Sequence, residues 1–386
     1  MKRFLYLALL LCSLSIQGQT PEEILETATR VNDYFMQQWP DPTKATFVKR
    51  ERPSSLWTRG VYYEGLQALQ AIDPQQRYIT YTDTWAEFHH WTPRNGIATL
   101  SADDQCCMQT YLERYLATGE EKMLLHVKEN AEQQMAGGKV DHWDWIDAIQ
   151  MAMPAYSHLY AATGDRRYMD YAMRCYRWTR NTCGKAGLWN TQEHLWWRDA
   201  DFLPPYKEKD GQNCYWSRGN GWVYAALVRV LDDLHRMGID YRDPQNEYNL
   251  LLQDFLDMSE ALLPCQRTDG MWNVSLLSPT TYGGPEASGT SLFLYGMAWG
   301  MRMGILSPET YRTPADKAWQ SLAQQCVHPN GFLGYVQGTG KEPKDGQPVT
   351  YDKAPDFEDY GTGCFLLAAT EYYRWKQHIT RPGVRW

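Results

Sequence analysis

Two segments of the chain repeat one another 45 residues apart, and this repeat narrows what the chain can fold into. Tyr111-Leu112-Glu113-Arg114-Tyr115-Leu116-Ala117-Thr118-Gly119-Glu120 is echoed by Tyr156-Ser157-His158-Leu159-Tyr160-Ala161-Ala162-Thr163-Gly164-Asp165. Each reads as a helix closed by a glycine, which takes the left-handed shape that ends helices. The acid that follows is suited to opening the next helix. Leu66 to Asp73, Met297 to Pro308 and Phe365 to Trp375 look like weaker versions of the same break. Helical hairpins repeated at this spacing build a solenoid or a closed ring, because stacked pairs bury what one pair cannot. A ring needs no end caps and leaves a central cleft. At roughly 50–60 residues per hairpin with its loops, the chain supplies about six. The expected fold is therefore all-α, an (α/α)6 barrel, with residues 19–386 as its single domain. Strand signals are sparse, and Phe332-Leu333-Gly334-Tyr335-Val336 is the best of them.

The chain has the material for a large core: 386 residues, 43% hydrophobic, with 17 Trp, 26 Tyr and 10 Phe. Aromatics with a polar handle outnumber Phe, which suits a wet cleft that must still offer stacking surfaces. A net charge of −8 argues against nucleic acid as a partner. An acidic small molecule remains compatible if cations are gathered locally. Residues 1–18 have the pattern of a secretory leader: Lys2 and Arg3, then a 13-residue apolar stretch from Phe4 to Ile16, then Gly18. That stretch is too short for a comfortable membrane span. The expectation is a periplasmic or secreted protein with no membrane span, a monomer or a homodimer. Cysteines 106, 107, 175, 183, 214, 265, 326 and 364 are scattered with no C-x-x-C pair; an oxidising compartment permits disulfides without the scatter demanding them, and the adjacent Cys106 and Cys107 read as packed thiols.

The densest chemistry lies in Trp216-Ser217-Arg218-Gly219-Asn220-Gly221-Trp222. The helix pattern that follows runs from Val223 to Arg236. The segment reads as a loop that brings a guanidinium, free N–H groups and a helix N-terminus together, an arrangement suited to a carboxylate. Trp216 and Trp222 offer faces on which sugar rings rest, and Asn220 adds polar contacts. Asp141-His142-Trp143-Asp144-Trp145-Ile146-Asp147 places Asp147 near another helix N-terminus, with Asp144 as its candidate cap. Indole walls such as Trp145 would leave Asp147 poorly solvated and favour its protonated form, as a general acid requires. The helix dipole opposes this. Ala102-Asp103-Asp104-Gln105 supplies a second carboxylate, either as a helix cap or as the partner of Asp147 that sugar chemistry calls for. His194 and Arg198, in Glu193-His194-Leu195-Trp196-Trp197-Arg198-Asp199, are further contact candidates. His142 with Asp141 or Asp144 is too thin a set for a metal, and neither metal nor cofactor is expected. Asn273-Val274-Ser275 matches a short glycosylation pattern.

Taken in order, these blocks resemble the unsaturated uronyl hydrolases of glycoside hydrolase family 105, related to family 88. The matching blocks are Ala102-Asp103-Asp104-Gln105 with Gln109-Thr110-Tyr111-Leu112; Trp145-Ile146-Asp147-Ala148 with Met151-Ala152 and Pro154; Trp216 to Trp222; Pro285-Glu286 with Ser288-Gly289; and Asp359-Tyr360-Gly361-Thr362-Gly363. The resemblance implies an (α/α)6 barrel acting on an acidic oligosaccharide left by a lyase. It also implies protonation of the C4=C5 vinyl ether at C4 and addition of water at C5. It puts the acid/base on Asp147 and the second essential carboxylate on Asp103 or Asp104, with Asp104 favoured. Arg218 and Trp216 fall on the substrate-binding turn. Met108 and Gln150 depart from the family pattern; the histidine that some members carry near the Leu195 segment has no clearly aligned counterpart, and Arg198 is the candidate for its role.

Overall fold

The computed structural model describes residues 19–354 and 359–380, so the leader pattern of residues 1–18 lies outside the described residues. Its helices are α1 (Pro21–Gln38), α2 (Trp57–Ile72), α3 (Gln76–Phe88), α4 (Ala102–Gln105), α5 (Cys107–Thr118), α6 (Lys122–Gly137), α7 (Asp147–Thr163), α8 (Arg167–Asn181), α9 (Ser217–Arg236), α10 (Asn249–Leu262), α11 (Ala287–Arg302), α12 (Pro308–Ser321) and α13 (Asp359–Thr380). Helices α2, α5, α7, α9, α11 and α13 each pack on the next, and α13 packs back on α2. That closes a ring of six. The helices α3, α6, α8, α10 and α12 each contact the ring helix they follow, and α1 lies on α13. This is the expected (α/α)6 barrel.

The hairpin breaks behave as their sequences predict. Gly119 and Gly164 end α5 and α7 at φ 74° and 72°, each donating back to a tyrosine carbonyl four residues earlier. The ring helices are buried nearly all round, which is why α7, α9 and α11 show long runs of buried residues rather than one apolar stripe. Close approach between ring helices depends on missing side chains. A Cβ on Gly65 of α2 would meet the Gly363 carbonyl oxygen of α13 at 2.6 Å. Pro154 sits inside α7, where it cannot donate to the Gln150 carbonyl. The Gln109 side-chain amide of α5 donates to that carbonyl instead, at 2.7 Å.

Two expectations need correction. Phe332 to Val336 is not a strand: Val327 pairs with Leu333 in a single bridge, and Tyr335 turns the backbone at φ 57°. The described strands are two short antiparallel pairs, β1 (Thr46–Phe47) with β2 (Glu51–Arg52), and β3 (Trp272–Asn273) with β4 (Pro285–Glu286). Asn273 lies in β3, buried, with its side-chain oxygen accepting from Arg267 and the Gly284 N–H, so the glycosylation pattern has no accessible acceptor. The eight described cysteines are free thiols.

The ring has two different mouths. At one, the N-terminal ends of the ring helices meet: Thr58 of α2 donates to Asp359 of α13, and Trp57 packs edge-on to Trp222 of α9. At the other, a cavity of about 630 Å³ opens among Glu113, His158, Arg229, Asp233 and Glu371. The carboxylates there are tied to cations: Arg229 to Glu113 at 2.7 Å, His158 to Asp233 at 2.6 Å, and Arg302 to Glu371.

Candidate active site

Of the carboxylates singled out in the sequence, Asp103 and Asp147 come together. Asp147 is the first residue of α7, with Ile146 rather than Asp144 in the capping position, and Asp144 is exposed. Trp143 packs inward on Tyr156, while Trp145 is half-buried. What faces Asp147 is a cation. Arg198 donates from Nε to the Asp147 carboxylate at 3.0 Å and from Nη1 to Asp199 at 2.6 Å. The backbone sets this up: the Ile146 N–H donates to the Arg198 carbonyl at 2.9 Å, and Trp145 pairs with Asp199 in an antiparallel bridge. The Arg198 guanidinium lies 6.0 Å from the Trp145 ring centroid. Burial disfavours the charge on Arg198, but Asp147 and then Asp199 outweigh burial and raise its pKa above the ordinary value.

The adjacent pair Asp103 and Asp104 is divided by the turn of α4. Asp104 is 4% exposed and fully engaged. It accepts from Arg94 at 3.2 Å, from Asn95 at 3.0 Å and from Thr99 at 2.7 Å. It ties down the loop before α4. Asp103 is half-buried and is the one coupled to Asp147. Burial, and next the charge of Asp147, push its pKa up to about 6, with Arg198 pulling the other way. Asp104, the favoured second carboxylate, thus bonds to the loop before α4, while Asp103 feels the charges of Asp147 and Arg198.

The Trp216–Trp222 segment is not an open loop. It forms the first turns of α9, which begins at Ser217. Arg218 is 1% exposed and donates both terminal nitrogens to backbone carbonyls, Gln337 and Gly338, each at 2.8 Å. Its guanidinium is wedged 4.6 Å from the Trp216 ring centroid and 5.0 Å from that of Tyr360. Trp216 donates to the Gln337 side chain at 2.8 Å. Asn220 brackets the Trp196 backbone, accepting from its N–H and donating to its carbonyl. Trp222 is fully buried. These four residues hold the segment at 337–338 and the ring together; none presents its side chain to an open cleft. His194 is also displaced from the pair: its ring stacks on Trp189 at 5.8 Å.

Two residues here were not singled out in the sequence. Asp199 closes the quoted aromatic stretch, and only the backbone pairing shows it sharing Arg198 with Asp147. Lys341, beyond the segment that Arg218 holds, pairs with Asp201 at 3.0 Å, and the charges of Asp199 and Arg198 also reach it. No motif marks Lys341. Among the described residues there is no cluster suited to a metal, and His142 stacks on Tyr171.

A helical ring that gathers two interacting carboxyls, Asp103 and Asp147, with Arg198 tying Asp147 to Asp199, offers the paired acids that glycoside-cleaving enzymes use. Residues 27–376 match the profile of Glycosyl Hydrolase Family 88. The unsaturated 3S-rhamnoglycuronyl hydrolase of Formosa agariphila is 31% identical over 337 residues, covering 82% of this chain and 83% of that protein. A glycosyl hydrolase family 88 structure from Bacteroides vulgatus superposes with a TM-score of 0.81 at 29% identity, covering 92% of this chain and all (100%) of that one. An unsaturated glucuronyl hydrolase from Streptococcus agalactiae shares the fold at 16% identity, with a TM-score of 0.63 over 92% of this chain and 93% of that one. The chain belongs to Glycosyl Hydrolase Family 88 and is a glycoside hydrolase.

Proposed function

We propose that this hydrolase removes a terminal 4,5-unsaturated uronate from lyase-generated oligosaccharides by hydrating its C4=C5 vinyl ether. The observation that carries this reading is the Asp103–Asp147 pair beside Arg198. A vinyl ether needs a proton at C4 and a water at C5, and one acid with a carboxylate beside it is sufficient. A carboxyl beside a carboxylate holds its proton more tightly than it would alone. In the free protein, burial and then the charge of Asp147 favour the protonated form of Asp103. A uronate carboxylate arriving at Arg198 competes with Asp147 for the guanidinium and shifts the balance toward Asp147, the donor expected from the sequence.

The steps then balance. The pair gives its proton to C4, and the ring oxygen stabilises the cation left at C5. Water adds at C5, and its proton returns to the emptied pair. The hemiketal opens by breaking its C5–O5 bond, and the hemiacetal left at C1 then collapses, its hydroxyl proton passing to the leaving oxygen, to give a 4-deoxy-5-keto-uronate and the rest of the oligosaccharide. Arg198 and Lys341 supply local positive charge in a protein of net charge −8. The Formosa agariphila relative makes a rhamnoglycuronyl oligosaccharide the first substrate to try. The leader pattern of residues 1–18 supports action outside the cytoplasm.

The test follows the UV absorbance of the double bond with matched unsaturated and saturated oligosaccharides. Asp147→Asn and Asp103→Asn are each expected to slow its loss by about 100- to 10,000-fold while the fold is kept. Cleavage of the saturated sugar alone would overturn the reading in favour of ordinary glycoside hydrolysis.

A further inference from the structure

We propose that Asp199 is a positioning residue of the active site: by holding one end of the Arg198 guanidinium, it sets how strongly Arg198 acts on the Asp147–Asp103 pair. The inference rests on the proposed chemistry for its consequence in turnover, but its geometric basis is independent. One planar guanidinium spans two carboxylates, Nε on Asp147 at 3.0 Å and Nη1 on Asp199 at 2.6 Å. Both carboxylate side chains are 13% exposed and Arg198 is 20% exposed, so solvent screens the triad little.

The two oxygens of Asp199 have separate duties. Oδ2 takes the Arg198 bond, while Oδ1 accepts from the Asp201 N–H at 2.9 Å and caps the turn at 200–202. The anchor and the cap can therefore be separated by substitution. Asn at this position keeps a side-chain oxygen for the cap. It removes the charge that offsets Arg198.

The surroundings determine the direction of the effect. Asp103 faces the pair from α4, with Asp104 and Arg94 behind it. Lys341 reaches Asp199 and Arg198 from the segment held by Arg218, and is itself paired with Asp201. The Cys183 and Cys214 thiols lie near Asp199, but burial raises both, so neither is charged at neutral pH. The nearby cations are thus Arg198, Lys341 and Arg94, and Asp199 is one of the anions that balance them. Remove its charge, and Arg198 pulls harder on the carboxyl pair. The pair then gives up its proton at lower pH.

Two measurements test this. In ligand-free protein with 13C-labelled aspartate carboxyls, the Asp103–Asp147 titration is followed by NMR, with Asp103→Asn and Asp147→Asn used for assignment. With substrate, the alkaline limb of kcat/KM is measured, since it reports the free enzyme. Wild-type protein should show a carboxyl titrating near about 6, the position set for Asp103. Asp199→Asn should move both the titration and the limb down by about one pH unit, and Arg198→Met should move both up. Asp199→Glu, which keeps the charge, should leave both within a few tenths of a unit of wild type. An Asp199→Asn protein whose titration stays in place while turnover merely drops in amplitude would overturn the proposal and leave Asp199 as a turn cap. A shifted titration without turnover on any unsaturated uronide would leave Asp199 in its role and refute the proposed chemistry instead.

Discussion

One step along the helix gives two neighbouring aspartates different surroundings. Successive residues on a helix point about 100° apart, so Asp103 and Asp104 cannot face the same way. Asp104 turns toward Arg94, Asn95 and Thr99, and Asp103 toward Asp147. Asp104→Asn should therefore act on stability. Losing a charge-assisted bond at a buried site costs about 1–3 kcal/mol. The denaturation midpoint should fall, while turnover per folded molecule stays within about tenfold of wild type. A loss as deep as that of Asp147→Asn, with the midpoint unchanged, would contradict the assignment. The sequence exposed the acids, because two Asp beside a helix start are visible as a pattern. It did not order them, because that depends on which loop folds over which face. Arg218 shows the same limit. Its motif marks the correct mouth of the ring, yet its acceptors lie about 120 residues downstream, at Gln337 and Gly338.

At the scale of elements, the ring depends on helices that come closer than side chains allow. A Cβ on Gly363 of α13 would lie 2.2 Å from the Val61 carbonyl oxygen of α2, and that backbone cannot swing aside. Gly363→Ala should destabilise the protein by about 1–3 kcal/mol or more, by forcing α2 and α13 apart. Thermal unfolding would register it as a lowered midpoint, and an unchanged midpoint would mean the contact is looser than described. The hairpin breaks at Gly119 and Gly164 were legible because a left-handed φ after a helix has a local signature. The start of α9 was not. Gly219 and Gly221 look like loop residues, but they lie inside the helix, where a Cβ would press on Trp216 at 2.9 Å and on Leu292 at 2.9 Å. Glycine chosen for close packing and glycine chosen for a turn are the same letter.

For the whole molecule, the charges along the ring axis make stability depend on pH. Burial works against the charge on His158, but Asp233 and then Glu113 outweigh it and push the imidazole up to about 9. Glu64 is pushed up to about 7 by burial, against the pull of Arg229. Both groups bind protons more tightly folded than unfolded. Their contribution is thus full below the ordinary pKa and lost as pH rises through the folded value, over about pH 4.5–7 for Glu64 and about 6.5–9 for His158. The His158 part is of order 3 kcal/mol. Urea unfolding at pH 7 and pH 10 should show that loss, and His158→Gln should flatten the difference. An equal loss in the variant would clear His158 of the effect. The barrel class was readable from repeats and length. This axial network was not, because its members come from α2, α5, α7 and α9 and meet only when the ring is shut. Shutting it joins the two ends of the chain: Thr58 and Arg59 of α2 bond to Asp359 of α13, some 300 residues later. Some 300 residues must therefore be made after α2 before its partner at Asp359 exists. Until then, the flank of α2 that α13 covers is left open to solvent.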